Sequence, residues 1–179
     1  MNLQPIAIDD LRIRCHHLWD SRWLLLTAGD LASEQFNLMT VAWGSFGTMW
    51  SRPFAQVVVR PTRHTFAFTE RYDTFTLCAF PEFCRPVLKL MGTRSGRDLD
   101  KIHDSGLTPL PSLVVAAPGF AEAELIVECR KIYWDDIRPA NFLAPDLDRN
   151  YPDRDYHRIY FGEILAVRGT DDYRTPDDG

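Results

Sequence analysis

The sequence predicts a mainly β protein, a barrel or sandwich of short strands with a short helical insertion. Three observations lead there. Apolar runs rich in β-formers recur along the chain and are cut by Gly, Pro and Asp. Helical periodicity is confined to the middle of the chain, after Pro81. No G-x-G-x-x-G follows a strand and no G-x-x-x-x-G-K-[ST] occurs, which removes the doubly wound and P-loop alternatives.

In order, residues 1–20 read as an N-terminal arm or short helix. Trp23 to Thr27 is a first strand, followed by the turn signal Ala28-Gly29-Asp30. Leu38 to Trp43 is a second, with Gly44-Ser45-Phe46-Gly47 as a break. Ala55 to Arg60 is a strand stopped by Pro61. His64 to Phe68 alternates and reads as a strand, as does Thr74 to Phe80. Glu82 to Met91 carries Phe83, Val87, Leu88 and Met91 at helical spacing and ends at Gly92. Asp98 to His103 predicts a second short helix, ending near Gly106. Proline-rich loops fill Thr108 to Gly119. Strands return at Ala123 to Tyr133 and Arg158 to Val167, and residues 168–179 form a polar, acidic tail expected to be poorly ordered. Without repeats or a low-complexity linker, residues 1–179 read as one domain.

Composition narrows the function. With 179 residues, 45% of them hydrophobic, the chain can bury a sizeable core. A formal net charge of -5 gives no global field for nucleic acid or an anionic membrane, so an anionic ligand needs a local basic cluster. No apolar run approaches the roughly 20 residues of a membrane helix, and the N-terminus lacks the pattern of a secretory signal. Cys15, Cys78, Cys84 and Cys129 show no C-x-x-C spacing, which argues for reduced thiols in the cytoplasm and against a metal site.

Four stretches can carry chemistry. Asn37 to Gly47 joins a strand to a glycine-containing loop whose bare backbone can approach a flat ligand, with Met39, Thr40 and Trp43 as a wall; taken by itself it reads more readily as a core strand with a buried Trp. Arg60-Pro61-Thr62-Arg63-His64-Thr65 packs guanidinium and hydroxyl donors at a strand end, which suits a phosphate or, alternatively, a solvated turn with acidic partners. Gly92 to Asp98, followed by Lys101, is an anion site before a helix or simply two helix caps. In Asp155 to Ile164, His157 stands at a strand entrance, where it can donate to a bound ring or be structural. Asp153, Asp155 and His157 alternate as on one strand face, an improbable metal set.

Taken in order, these stretches resemble the flavin reductase-like family, especially its flavoredoxin-like branch. The pattern reads Asn37-x-Met39-Thr40 with Trp43-Gly44, then Val59-Arg60-Pro61-x-Arg63-x-Thr65, then Phe75-Thr76. It continues as Gly92-Thr93-x-Ser95-Gly96-Arg97-Asp98-x-Asp100-Lys101 and Asp155-Tyr156-His157-x-Ile159-Tyr160-x-Gly162-Glu163-Ile164. The match runs over about residues 22 to 167.

The resemblance implies a split β-barrel of Greek-key type with short helical insertions, binding FMN in preference to FAD. It implies reduction of flavin by NADH or NADPH as co-substrate in a homodimer, each flavin near the subunit interface. Residues Asn37, Met39, Thr40, Val41, Ala42 and Trp43 are then expected along the isoalloxazine ring. Arg60, Thr62, Arg63, Thr65, Ser95, Gly96 and Lys101 are the expected phosphate and ribityl contacts, and His157 is the candidate catalytic residue. An electron-acceptor protein such as a monooxygenase is the implied partner. The alternatives are a flavoredoxin-like carrier that passes electrons to a protein, or a non-catalytic flavin-binding module. Cys78 and Cys84 depart from the pattern and read as core or incidental, with redox activity beside a flavin left open.

Overall fold

The computed structural model describes residues 2–94, 96 and 101–176. Its strands are β1 (Gln4–Pro5), β2 (Leu24–Asp30), β3 (Gln35–Val41), β4 (Gly44–Met49), β5 (Arg52–Val59), β6 (Thr74–Ala79), β7 (Pro109–Leu110), β8 (Gly119–Phe120), β9 (Leu125–Asp136) and β10 (Arg158–Gly169). The helices are α1 (Cys15–His17), α2 (His64–Arg71), α3 (Arg85–Thr93) and α4 (Lys101–Ser105). An antiparallel sheet runs in the order β3-β2-β6-β9-β10-β5-β4, with β1 added to β10. Its two end strands, β3 and β4, are consecutive in sequence and joined only by Ala42 and Trp43. The barrel is therefore split along that seam, as the resemblance implied.

Inside lie Leu24, Leu26, Met39, Val41, Val57, Val59, Phe75, Leu77, Val127 and Tyr160. These positions alternate along their strands, as a half-buried pleat requires. A second cluster outside the sheet packs Leu25, Leu38 and Cys78 beneath Leu88 and Met91 of α3. Trp19, in the turn after α1, plugs one end of the barrel; a Cβ on Gly44 would lie 2.4 Å from its ring.

Several expectations change. His64–Phe68 belongs to a helix, not a strand. The alternating Phe66 and Phe68 suggested period two, yet the deeply buried residues of α2 are Thr65 and Thr69, four apart. Both are polar, so a hydrophobic pattern does not reveal the buried face; Thr69 Oγ1 donates to the Phe66 carbonyl at 2.9 Å. Gly44–Gly47 is strand β4, not a break, because Gly44 makes room for Trp19. Ala28, Gly29 and Asp30 continue β2, and the turn follows at Leu31 to Glu34. Asp153–His157 is irregular chain, not a strand face, and β10 begins at Arg158. The described part of the tail is ordered against the arm: Leu11 bridges Arg174, and the Thr175 N–H donates to the Asp10 carbonyl at 2.8 Å. Of the second predicted helix, Asp98 to Asp100 lie outside the described residues, and Lys101–Ser105 forms α4.

All four cysteines are free. Cys78 and Cys129 are fully buried, and burial pushes the Cys78 thiol up to about 12, which suits a core role. No helix among the described residues is long and apolar enough to cross a membrane.

Candidate functional site

Strand β3 pairs with β2 on one side only, since it ends the sheet. Its other edge faces the seam. The Leu38 carbonyl on that edge accepts a hydrogen bond from Lys101 Nζ at 2.8 Å. In an antiparallel ladder, backbone groups alternate sides, so Thr40 turns its N–H and C=O the same way. β3 therefore presents an open backbone edge at Thr40.

Beside this edge is an open cleft of about 190 Å³ lined by Met39 to Trp43, Val58, Arg60 and His157. Met39 and Val41 are buried and form its floor, while Trp43 is 49% exposed and forms a wall. The Trp43 and His157 rings lie 5.2 Å apart, tilted by 51°. Thr40 lines the cleft, but its hydroxyl donates to the Leu88 carbonyl and is committed to anchoring α3.

A second, smaller pocket of about 90 Å³ is bordered by Thr62, Arg63, His64, Thr65, Thr93, Arg94, Gly96 and Lys101. Arg63 donates to the Gly92 carbonyl at the end of α3. Asn37 Nδ2 donates to Thr65 Oγ1 at 2.9 Å, so the Thr65 hydroxyl keeps its own proton for another acceptor. A Cβ on Gly96 would stand 2.6 Å from Asn37 Oδ1, which makes this close approach specific to glycine. Lys101 is 5% exposed and donates to the Leu38 and Met91 carbonyls at 2.8 and 3.1 Å. Burial, and secondarily Arg63, pulls its pKa down to about 8. Such a buried ammonium has a strong electrostatic preference for an anion.

Thirteen of the fourteen residues singled out from the sequence fall into these places, with Asn37 beside the small pocket; Ser95 lies outside the described residues. Arg60 serves differently from the phosphate contact expected of it. Its guanidinium donates to Asp155 Oδ1 at 2.6 Å and to the Asn150 carbonyl at 2.8 Å, and Thr62 donates to Asp155 Oδ2 at 3.2 Å. The hydrogen bond from Arg60 holds the Asp155 carboxyl below the usual carboxylate range. Arg60 thus fastens the loop before β10 to the cleft, and Arg63, Arg94 and Lys101 are the cations that border the small pocket.

His157 Nδ1 lies 2.9 Å from the Tyr151 hydroxyl. Burial, and then the charge of Arg60, pulls its pKa down to about 4, so the imidazole is neutral near pH 7. Tyr151, Val58, Thr93, Arg94 and Asp155 were missed in the sequence. Asp155, two residues before His157, and Thr93 and Arg94, between Gly92 and Ser95, stood in stretches already singled out; nothing local marked Tyr151.

Two larger hollows, of about 450 and 420 Å³, flank the N-terminal arm. The first is lined largely by apolar side chains such as Leu11, Ile13 and Phe46, and in the second Arg12, Arg14 and Arg174 face Asp171 and Asp172. The first holds no cation; the second adds Arg22 to those arginines, but neither hollow includes a residue of β3.

Fold and site together make a split β-barrel with an apolar, open cleft at one end of β3 and a small, cation-bordered pocket at the other. The family model described as "Flavin reductase like domain" matches residues 21–176, and the chain belongs to that family. Among solved structures, an FMN-binding domain of a flavin reductase-like enzyme from Shewanella baltica OS155 superposes with a TM-score of 0.68 at 15% identity, covering 98% of this chain and 86% of that one. Flavoredoxin of Desulfovibrio vulgaris (Miyazaki F) gives 0.66 at 22% identity, covering 89% and 78%. An NADH:FAD oxidoreductase from Streptomyces globisporus C-1027 gives 0.60 at 15% identity, covering 81% and 73%. A comparison with curated proteins gave no match.

Proposed function

We propose that this chain binds FMN along β3 and reduces it with NADH or NADPH, as a cytoplasmic homodimer that hands electrons to an acceptor such as a monooxygenase. The observation that carries this reading is the alignment of cleft and pocket along one strand. Asn37 and Leu38 border the anion pocket, and Met39 to Trp43 border the cleft. Six residue steps of strand extend over roughly 20 Å, comparable with an isoalloxazine ring, its ribityl chain and a terminal phosphate.

The residues fit that group. Lys101 and Arg63 offer charge, Thr65 offers a directional hydroxyl, and the Gly96 cradle admits an oxygen where a side chain would clash. Trp43, Met39 and Val58 offer an apolar surface for the ring, and the open edge at Thr40 offers backbone partners.

When bound, FMN supplies a ring that accepts a hydride from the nicotinamide. The chain's own part is placement. The Ala42–Trp43 link would hold the ring against the seam, and Lys101 and Arg63 would fix the phosphate. Neutral His157 stands at the cleft as an uncharged hydrogen-bond donor or acceptor. Hydride transfer needs donor and acceptor held in reach of one another rather than a strong acid or base.

The test is anaerobic mixing of FMN-loaded protein with NADH or NADPH, followed by flavin absorbance. Bleaching by either nucleotide supports the reading. Bound flavin that neither nucleotide bleaches makes the protein an electron carrier, and failure to take up FMN at all removes both.

A further inference from the structure

We propose that Tyr151 is a positioning residue, whose phenol donates to His157 Nδ1 and so fixes the imidazole as the Nε2–H tautomer at the cleft. The hydroxyl lies 2.9 Å from Nδ1, and Tyr151 is 5% exposed. Among the described residues that hydroxyl has no other hydrogen-bond partner. A buried O–H without an acceptor is costly, so the phenol donates and Nδ1 accepts. An Nδ1 that accepts carries no proton, which leaves the proton of a neutral imidazole on Nε2.

The phenol itself is held from several sides. Its ring stacks on Phe142 at 6.1 Å, meets Tyr156 at 4.8 Å, and lies under the Arg60 guanidinium at 5.0 Å. The Tyr151 and His157 rings meet edge to face at 5.5 Å, and Trp43 packs against the imidazole at 5.2 Å. The charged groups acting on His157 are Arg60, Asp155 and Arg63; burial and the two arginines keep it neutral against the opposing pull of Asp155. His157 lines the cleft and Tyr151 does not. Nδ1 is spent on the tyrosine, so Nε2–H is the group the cleft receives: a directional donor without net charge. This use rests on the cleft being the flavin site; the tautomer itself does not.

The experiment is ¹⁵N NMR of histidine-labelled protein without flavin at pH 7. A bare Nδ1 and protonated Nε2 are expected, with the other tautomer more than about tenfold rarer. Tyr151→Phe, which keeps the aromatic packing, is expected to cut that bias by roughly fivefold, the worth of one net hydrogen bond. A protonated Nδ1 in the wild type overturns the proposal, as does an unaltered bias in Tyr151→Phe. If that variant does not fold, the wild-type spectrum decides alone. With FMN and NAD(P)H added, Tyr151→Phe is expected to slow flavin reduction several-fold. Should the tautomer behave as stated while Tyr151→Phe and His157→Ala both reduce flavin at the wild-type rate, the positioning stands and the flavin reading of the cleft fails.

Discussion

Replacing Lys101 with Met separates what this residue does for the fold from what it does for a ligand. Its ammonium is buried and its pKa has fallen to about 8. Against an unfolded value near 10.4, that shift makes the charge cost roughly 3 kcal/mol in the ligand-free fold at neutral pH. The unfolded chain binds more protons between those values, so this contribution to stability improves as pH rises from about 8 to about 10.4. Lys101→Met relieves the cost but leaves the Leu38 and Met91 carbonyls without their donor, a loss of about 1–3 kcal/mol each. The two effects nearly offset, and the melting temperature should change little. FMN affinity should fall by roughly ten- to hundredfold, because a charge-assisted contact contributes about 1.5–3 kcal/mol. Riboflavin, which lacks the phosphate, should bind both proteins alike. In the wild type, a bound phosphate raises the Lys101 pKa, so FMN affinity should hold steady up to about pH 8 and decline above it. Fluorescence titrations with FMN and riboflavin measure all of this. FMN affinity within about twofold of wild type, or an equal loss for FMN and riboflavin, refutes the reasoning.

Arg63→Ala should also weaken FMN binding, by about 1.5–3 kcal/mol on titration, and unchanged affinity would clear the Arg60–Thr65 turn of phosphate binding. His157→Ala should leave flavin affinity largely intact but slow turnover; kinetics at saturating flavin check this. Because His157 is already neutral above about pH 4, its titration should leave no inflection in a rate profile between pH 5.5 and 8; a His157-dependent step there contradicts the burial argument. Gly162→Ala places a Cβ 2.5 Å from the Phe75 ring and 2.9 Å from Cys129 Cβ inside the barrel. Such overpacking costs about 1–3 kcal/mol and should lower Tm by roughly 3–10 °C, read by circular dichroism.

Much of this was legible in the sequence because strand signals and ligand signals coincided. The β2, β3, β5, β6, β9 and β10 runs are apolar and β-branched, and their order alone fits a barrel. The Arg60–Thr65 and Gly92–Lys101 stretches were visible as local donor clusters. What stayed hidden depended on long-range partners. The helix over His64–Arg71 buries threonines that answer Asn37 and Tyr160, residues 28 and 91 positions away. Gly44 signalled a break because Trp19, which fills its missing side chain, lies in the arm. Arg60 looked like a phosphate ligand until Asp155, 95 residues on, was found beside it. Tyr151 gave no signal, since a tyrosine in a polar loop declares its partner only when the loop folds back.

The most direct test of the central claim is a crystal structure of the protein with FMN. The account predicts the isoalloxazine ring against Met39 to Trp43, its polar edge on the Thr40 backbone, and the phosphate within reach of Arg63, Thr65 and Lys101. A flavin seated elsewhere, such as in the hollows beside the N-terminal arm, or a phosphate held by residues other than these, would contradict it.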